Sequence, residues 1–386
     1  MMVKHSSWIE LSQSATKKNI NFIRKKVGPK PRICSVVKAN AYGHGTHEFV
    51  PILENCGIDY FATSSSSEAE SVLDVCSEDS DIIVMGILHD VDIPWALEHG
   101  VEFYVFDYNR LPIVLEHAKE LGKVAKIHLE VETGTNRTGM NYDDIGKSIT
   151  FLKKYKKHFE LMGVCSHLGG AESFANSFRI DRQIKLFNDI KKLFKKRKFE
   201  PKYFHLACSA AALAYPETVM DMVRIGISQY GFWPSPEIYY HHLSSNGKRK
   251  DSPLHRVISW KTNVMDIKHV ERGEFIGYGT AYQAYRDMQI AVLPLGYTNG
   301  YSRNLSNKGF VLINGRKAPI VGLVNMNLFM VDISHIKGVE VGDEVVLIGK
   351  QKNNTITVSS FSASADLINN EMIARLPAAI PRKKVR

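Results

Sequence analysis

The stretch RICSVVKANAYGHG (32–45) runs from an apolar, β-branched segment straight into a lysine, a tyrosine, a histidine and two glycines. Residues 32–37 read as a short buried strand, and Lys38 stands where that strand ends. A lysine is most often a solvated surface residue, so one charge at a strand end carries little by itself. Its weight comes from what repeats around it. Further short β-rich runs follow at YFATS (60–64), DIIVMGI (81–87), EFYVF (102–106), AKIHLEVE (125–132), FELMGVCSH (159–167), KYFHLAC (202–208) and DMVRIGI (221–227). Helix-period segments such as SSEAESVLDVC (66–76) and RLPIVLEHAKELG (110–122) lie between them. Alternation of this kind argues for parallel strands joined by helical crossovers. Eight such units suggest a (β/α)8 TIM-type barrel. A doubly wound sheet is the alternative, weakened because no G-x-G-x-x-G follows the first strand.

The pattern changes after the segment 229–254, which is rich in Pro, Ser, Gly and charge. Short alternating runs then appear at 257–267, 288–296, 309–315, 318–324, 329–333 and 343–349, with Asn-Gly turn signals at 299–300 and 314–315. They predict a mostly antiparallel β domain. The expected fold class is therefore α/β, a barrel over 12–240 followed by a β domain over 241–386, to which residues 1–11 are added below.

A chain of 386 residues suits two domains, and 44% hydrophobic with 23% charged residues is an ordinary globular composition. Much of the net charge of +10 sits in runs such as KKLFKKRK (191–198), interrupted by Leu193 and Phe194. That is the pattern of a solvated amphipathic helix face, and no aromatic-rich RNA motif or zinc-finger spacing accompanies it, so no nucleic-acid partner is expected. The five cysteines (Cys34, Cys56, Cys76, Cys165, Cys208) are scattered and read as reduced core thiols of a cytoplasmic protein. His205 and Cys208 form an H-x-x-C pair with no second pair to complete a zinc site, so no metal is expected. Neither a signal peptide nor a run of roughly 20 apolar residues is visible, so no membrane partner is expected.

If the first domain is a barrel, its chemistry lies at the carboxyl ends of the strands. Lys38, Arg137, His167, Ser209 and Arg224 all fall at or near those ends. A lysine at a barrel mouth can form a Schiff base where positive charge and desolvation favour the neutral amine. Ser209 and the backbone N–H groups around Gly226, after the seventh and eighth strands, suit a phosphate. A lysine imine and a phosphate cradle together point to pyridoxal 5'-phosphate.

VVKANAYGHG (36–45), TGTNRTG (133–139), SHLGGAE (166–172), MVRIGISQYG (222–231), IGYGTAY (276–282), LPLGYTNGYSR (293–303) and VGLVNMNLFMVDIS (321–334) occur in this order. Together they resemble the successive signatures of the alanine racemase family over nearly the whole chain. The resemblance implies a pyridoxal phosphate barrel and a β domain that also takes in the opening strand (1–11). It also implies a head-to-tail homodimer with shared active sites and a small amino-acid substrate. Lys38 would then anchor the cofactor and act as one catalytic base, and Tyr278 from the second subunit as the other, on opposite faces of the substrate α-carbon. An ordinary tyrosine, with a pKa near ~10, is a weak base, so such a site must stabilise its phenolate. Arg224 would hydrogen-bond the pyridine nitrogen and keep it unprotonated, with His167 holding Arg224. Arg137 would meet the cofactor's phenolic oxygen and the substrate carboxylate, which also meets the backbone N–H of Met326. Tyr42, Ser209, Ile225, Gly226 and Tyr297 match positions around the phosphate.

The sequence departs from the family pattern at four places. Glu130 stands where many relatives carry a carbamylated lysine, Cys208 where asparagine is common, Asn325 and Asn327 flank Met326 where CMD is common, and Ala378 where some relatives have tyrosine. The expected activity is interconversion of L- and D-alanine, supplying D-alanine for peptidoglycan. The alternatives are a broad-specificity, serine or lysine racemase of the same fold, or a barrel-type basic amino acid decarboxylase. Arg224 in place of a carboxylate argues against the decarboxylase. A single-barrel pyridoxal phosphate-binding protein lacks anything like residues 255–386.

Overall fold

The computed structural model describes residues 5–245, 251–365 and 367–386. It divides into two compact units, one of Ser14–Ala39 and Val50–His255, the other of Met1–Gln13, Asn40–Phe49 and Arg256–Arg386. The expected boundary after residue 240 falls inside the helix Pro236–Ser245, which lies whole in the first unit. The linker residues 246–250 lie outside the described residues.

In chain order the opening strand is β1 (Ser7–Ser12). The first unit carries β2 (Arg32–Val36), β3 (Tyr60–Thr63), β4 (Asp81–Val84), β5 (Glu102–Val105), β6 (Ala125–Glu130), β7 (Phe159–Cys165), β8 (Tyr203–His205) and β9 (Met222–Ile225). All are parallel, in the order β8-β7-β6-β5-β4-β3-β2-β9. The seam between β8 and β9 is closed by Asp221 N–H to Phe204 O at 3.1 Å and Arg224 N–H to Ala207 O at 3.0 Å. The eight-strand barrel is thus present, and the doubly wound alternative is not. Its strands are buried along both faces, as in YFAT of β3 and EFYV of β5, because helices cover the outside. The longest of these, Ser177–Lys196, buries Ile180, Gln183, Ile184, Phe187, Ile190 and Phe194 at helical spacing and leaves Lys192, Lys195 and Lys196 in solvent.

At the amino-terminal end of the barrel Arg32 pairs with Asp81 at 2.6 Å and Asp59 at 3.2 Å, and its guanidinium lies 4.5 Å from the Tyr60 ring centre. One arginine thus ties β2 to the start of β4 and to the residue before β3.

The second unit is built on β10 (Ile258–Asn263), β11 (Asp266–Val270), β12 (Met288–Leu293), β13 (Phe310–Ile313), β14 (Arg316–Val321), β15 (Phe329–Asp332), β16 (Glu344–Gln351), β17 (Asn354–Ile356) and β18 (Arg382–Val385). β1 pairs antiparallel with β10 and parallel with β18, and the other pairings are antiparallel. Asn314-Gly315 closes the β13–β14 hairpin with both residues at positive φ (51° and 78°), the geometry of a two-residue type I′ turn. The other Asn-Gly signal makes no hairpin: Gly300, at φ 88°, ends a 3-10 turn over Tyr297–Asn299. No helix among the described residues is long and apolar enough to cross a membrane.

Candidate active site

Lys38 follows β2 and is exposed, and its backbone is fixed on every side. Val37 N–H bonds Ala62 O at 2.8 Å and Ala39 N–H bonds Glu68 Oε1 at 2.7 Å. The Val36 carbonyl accepts from Gln229 Nε2 and Tyr230 Oη, each at 2.9 Å. The short helical turn Lys38–Tyr42 is left-handed: Ala39, Asn40, Ala41 and Tyr42 have φ of 54°, 52°, 51° and 51°. Each such residue costs about 1–2 kcal/mol. Asn40 Oδ1 accepts from Thr46 N–H at 2.8 Å and Asn40 O from Gly45 N–H at 3.0 Å, which hold the turn.

His167, at the end of β7, is pushed down to about 3, first by burial and then by the positive charges of Arg224, Arg137 and Lys38. The structure therefore brings these three cations into one neighbourhood. Glu130 is the buried acid beside Arg224 and Arg137, and burial holds its carboxyl above the ordinary range despite a hydrogen bond from Thr138. Arg137 sits exposed on a loop that is itself tightly pinned. Glu132 accepts from the N–H groups of Gly134, of Thr135 at 2.7 Å and of Asn136 at 2.9 Å. Gln183 reaches from its helix to Thr135 Oγ1 and His167 O, both at 3.0 Å. Ser209 is buried at the foot of a short helix, and its Oγ accepts from Gly226 N–H at 3.0 Å. Ser209, Ile225 and Gly226 are thus adjacent across the β8–β9 seam.

Arg224 lies inside the barrel and not on its rim, 6% exposed. Nη1 bonds His205 Nδ1 at 2.8 Å and His205 O at 2.9 Å, while Nη2 bonds Ser166 O at 2.7 Å and Leu206 O at 3.2 Å. The side chain that holds it is thus His205, where His167 was expected. His205 is the inward residue of the neighbouring strand, whereas His167 is one of the groups on which the Arg224 charge acts. Cys34 and Cys165 are buried thiols, both pushed up to about 12 by that burial, and all five cysteines are unpaired.

The second unit holds the remaining candidates. Tyr42 belongs to the NAYGHG stretch, which Arg382 grips through Gly43 O at 2.9 Å. The same guanidinium bonds the carbonyls of Pro377 and Ala378, both at 2.8 Å. A Cβ on Gly43 would sit 1.8 Å from Ile373 O, so glycine is required there. Tyr278 is 72% exposed between Gly277 and Gly279, at φ 79° and 67°, and a Cβ on Gly277 would lie 2.6 Å from Met330 Cε. Tyr297 and Met326 come together: Tyr297 N–H bonds Asn325 O at 3.0 Å, and Thr298 Oγ1 bonds Met326 O at 2.8 Å. Asn327 Nδ2 donates to Thr298 Oγ1 at 2.9 Å, so this departure from the family pattern braces the loop that carries Tyr297.

Sequence reasoning passed over Glu132, Gln183, His205 and Arg382. Gln183 had a signal, being polar on the apolar stripe of a helix, and His205 was read only as half of an incomplete metal pair.

Residues 11–234 match the family model for the alanine racemase N-terminal domain, and residues 257–384 that for the alanine racemase C-terminal domain. The alanine racemase of Methanococcus maripaludis is 32% identical over 99% of this chain and 99% of its own. That of Symbiobacterium thermophilum is 33% identical over 97% and 96%. The structure of the Bacillus anthracis alanine racemase with bound L-Ala-P superposes with a TM-score of 0.89 at 28% identity, covering 100% of this chain and 96% of that one. An alanine racemase from Bartonella henselae with covalently bound pyridoxal phosphate shares the fold, with a TM-score of 0.83 at 23% identity over 99% and 100% of the two chains. Matched along both of its units, and at this identity over its full length, the chain belongs to the alanine racemase family.

Proposed function

We propose that this chain interconverts L- and D-alanine with pyridoxal 5'-phosphate as its cofactor, and that the D-alanine feeds peptidoglycan synthesis. The fit of the cofactor rests on the collar of Lys38, Arg137 and Arg224 around His167, where positive charge gathers and an anionic group offsets it. When bound, pyridoxal phosphate withdraws the electron pair left on the substrate α-carbon as its proton departs. Lys38 anchors it through Nζ and moves the α-proton on one face. Tyr278 of a second copy moves the proton on the other face, which inverts the centre. Its exposure on its own chain suits a residue that a partner covers. Ser209, Ile225, Gly226, Tyr42 and Tyr297 hold the phosphate. Arg137 and the Met326 N–H orient the substrate carboxylate.

The observation that carries the reading is Arg224. Its guanidinium has only donors, so it cannot deliver a proton to a ring nitrogen as a carboxylic acid does. The electron sink is weaker for it, which favours returning a proton to the α-carbon over losing CO2. Lys38 is tested by borohydride reduction and peptide mapping of the full chain with pyridoxal phosphate. Cofactor mass should fall on the peptide containing Lys38 and vanish in Lys38→Ala, and label elsewhere with undiminished yield would remove Lys38 from its role.

A further inference from the structure

Glu102 (β5), His128 (β6), His205 (β8) and Arg224 (β9) form one hydrogen-bonded file through the barrel interior. His128 Nε2 meets Glu102 Oε2 at 2.6 Å, His128 Nδ1 meets His205 Nε2 at 2.9 Å, and Arg224 Nη1 meets His205 Nδ1 at 2.8 Å. The two ends fix the direction of every bond. Arginine only donates, so His205 Nδ1 accepts and its proton sits on Nε2. That N–H donates to His128 Nδ1, so the His128 proton sits on Nε2 and is given to Glu102. An ionised carboxylate only accepts, so the far end agrees with the near end. A doubly protonated His128 would force the His205 proton onto Nδ1 and set donor against donor at Arg224.

Tyr60 Oη also donates to Glu102 Oε2, while Oε1 is buried without a partner among the described residues. Burial opposes the Glu102 charge, but hydrogen bonds from His128 and Tyr60 outweigh it and hold the carboxyl below its ordinary range. Burial and the Arg224 charge keep His205 neutral. The backbone makes room for the file: a Cβ on Gly163 of β7 would lie 2.0 Å from His128 Nδ1 and 2.7 Å from His205 Nε2. The four Arg224 side-chain bonds leave from Nη1 and Nη2, so Nε–H is the donor left for a ligand.

We propose that Glu102 and His128, acting through His205, are positioning residues that set how strongly Arg224 donates to the pyridine nitrogen of pyridoxal phosphate. This rests on the reading of Arg224 given above. Electron density from the carboxylate passes through two neutral, co-directed imidazoles to the guanidinium and makes it a weaker acid. The Arg224 charge is thereby offset from across the barrel through His205, while none of its four side-chain hydrogen bonds goes to a carboxylate.

The first test uses the full chain without cofactor, labelled with 15N-histidine, and reads ring protonation by two-bond 1H–15N NMR. Both His128 and His205 should be neutral with the proton on Nε2. A proton on Nδ1 of either ring, or a doubly protonated His128 at neutral pH, overturns the relay. The second uses the holoenzyme with the cofactor's pyridine nitrogen labelled. Glu102→Gln removes the charge and should make Arg224 a stronger donor. Tyr60→Phe removes a competing donor on Glu102 and should make Arg224 a weaker one. The ring-nitrogen signal is therefore expected to move in opposite directions in the two variants. Movement in the same direction, or none, overturns the proposal, because loosened packing has no such sign. Should Glu102→Gln fail to fold, the sign of the Tyr60→Phe shift decides. If wild-type chain binds no cofactor, the cofactor reading falls and the histidine protons decide the relay alone.

Discussion

Arg224 is a buried cation whose hydrogen bonds go to three main-chain carbonyls and one imidazole. The planar fork satisfies all of these at once, which a lysine cannot do. Arg224→Lys keeps the charge but strands buried acceptors, and should cost about 2–4 kcal/mol of stability, read from the denaturant midpoint. An unchanged midpoint would mean that these contacts are not made. Tyr278 presents the opposite case, since its side chain is mostly in solvent. Tyr278→Phe should leave folding and cofactor attachment intact while lowering kcat/KM by about 100-fold or more in both directions. Turnover within a few-fold of wild type would sink the two-base mechanism.

Among the elements, β7 owes its place beside the histidine file to a missing side chain. Gly163→Ala drives a methyl into His128 and His205, and should destabilise the barrel by several kcal/mol or displace the rings, visible in the histidine NMR signals. The β13–β14 hairpin gives a milder case. Gly315→Ala at φ 78° should cost at least about 1–2 kcal/mol, since a Cβ there would also lie 2.9 Å from the Lys352 Cβ. The barrel strands were legible because each is a short β-branched or aromatic run between helix-period segments, and Asn314-Gly315 named its own turn. β18 was not, because RKKV has no apolar alternation and gains its order from pairing with β1 at the far end of the chain. The hand of the turn after Lys38 was hidden too: KANAY suits a right-handed helix, whereas the left-handed turn is held by hydrogen bonds from Gly45 and Thr46 to Asn40 and from Ala39 to Glu68. Lys38, Arg137, His167 and Ser209 were legible as candidates because each lies in the segment that follows a barrel strand, β2, β6, β7 and β8 in turn. Glu102, His128 and His205 were not, since an inward polar residue on a barrel strand looks like any other alternate position until the strands are closed.

Taken as a whole, the molecule buries several histidines that must be neutral to stay folded. His167 is pushed down to about 3 and His44 to about 4 from an ordinary 6.5, and His205 is also lowered, burial being the first cause in each case. Their folded values lie below their unfolded ones, so the unfolded chain binds more protons throughout that interval. Stability should accordingly fall as pH drops through 6.5, and go on falling to about 4 and about 3 as the unfolded-state preference for protons persists. A Tm that is equal or higher at pH 5 than at pH 7.5 would contradict this. The barrel's cation collar, the exposed Tyr278 and the family membership converge on one activity, and a single experiment bears on all of it. The full chain with pyridoxal phosphate is incubated in D2O with L-alanine, L-serine, L-lysine or L-arginine, and α-hydrogen exchange is followed by NMR alongside a chiral assay. L-Alanine should exchange its α-hydrogen rapidly and appear as D-alanine, with the others far slower. Cofactor bound at Lys38 with no exchange of alanine, or exchange with full retention of configuration, would contradict the account.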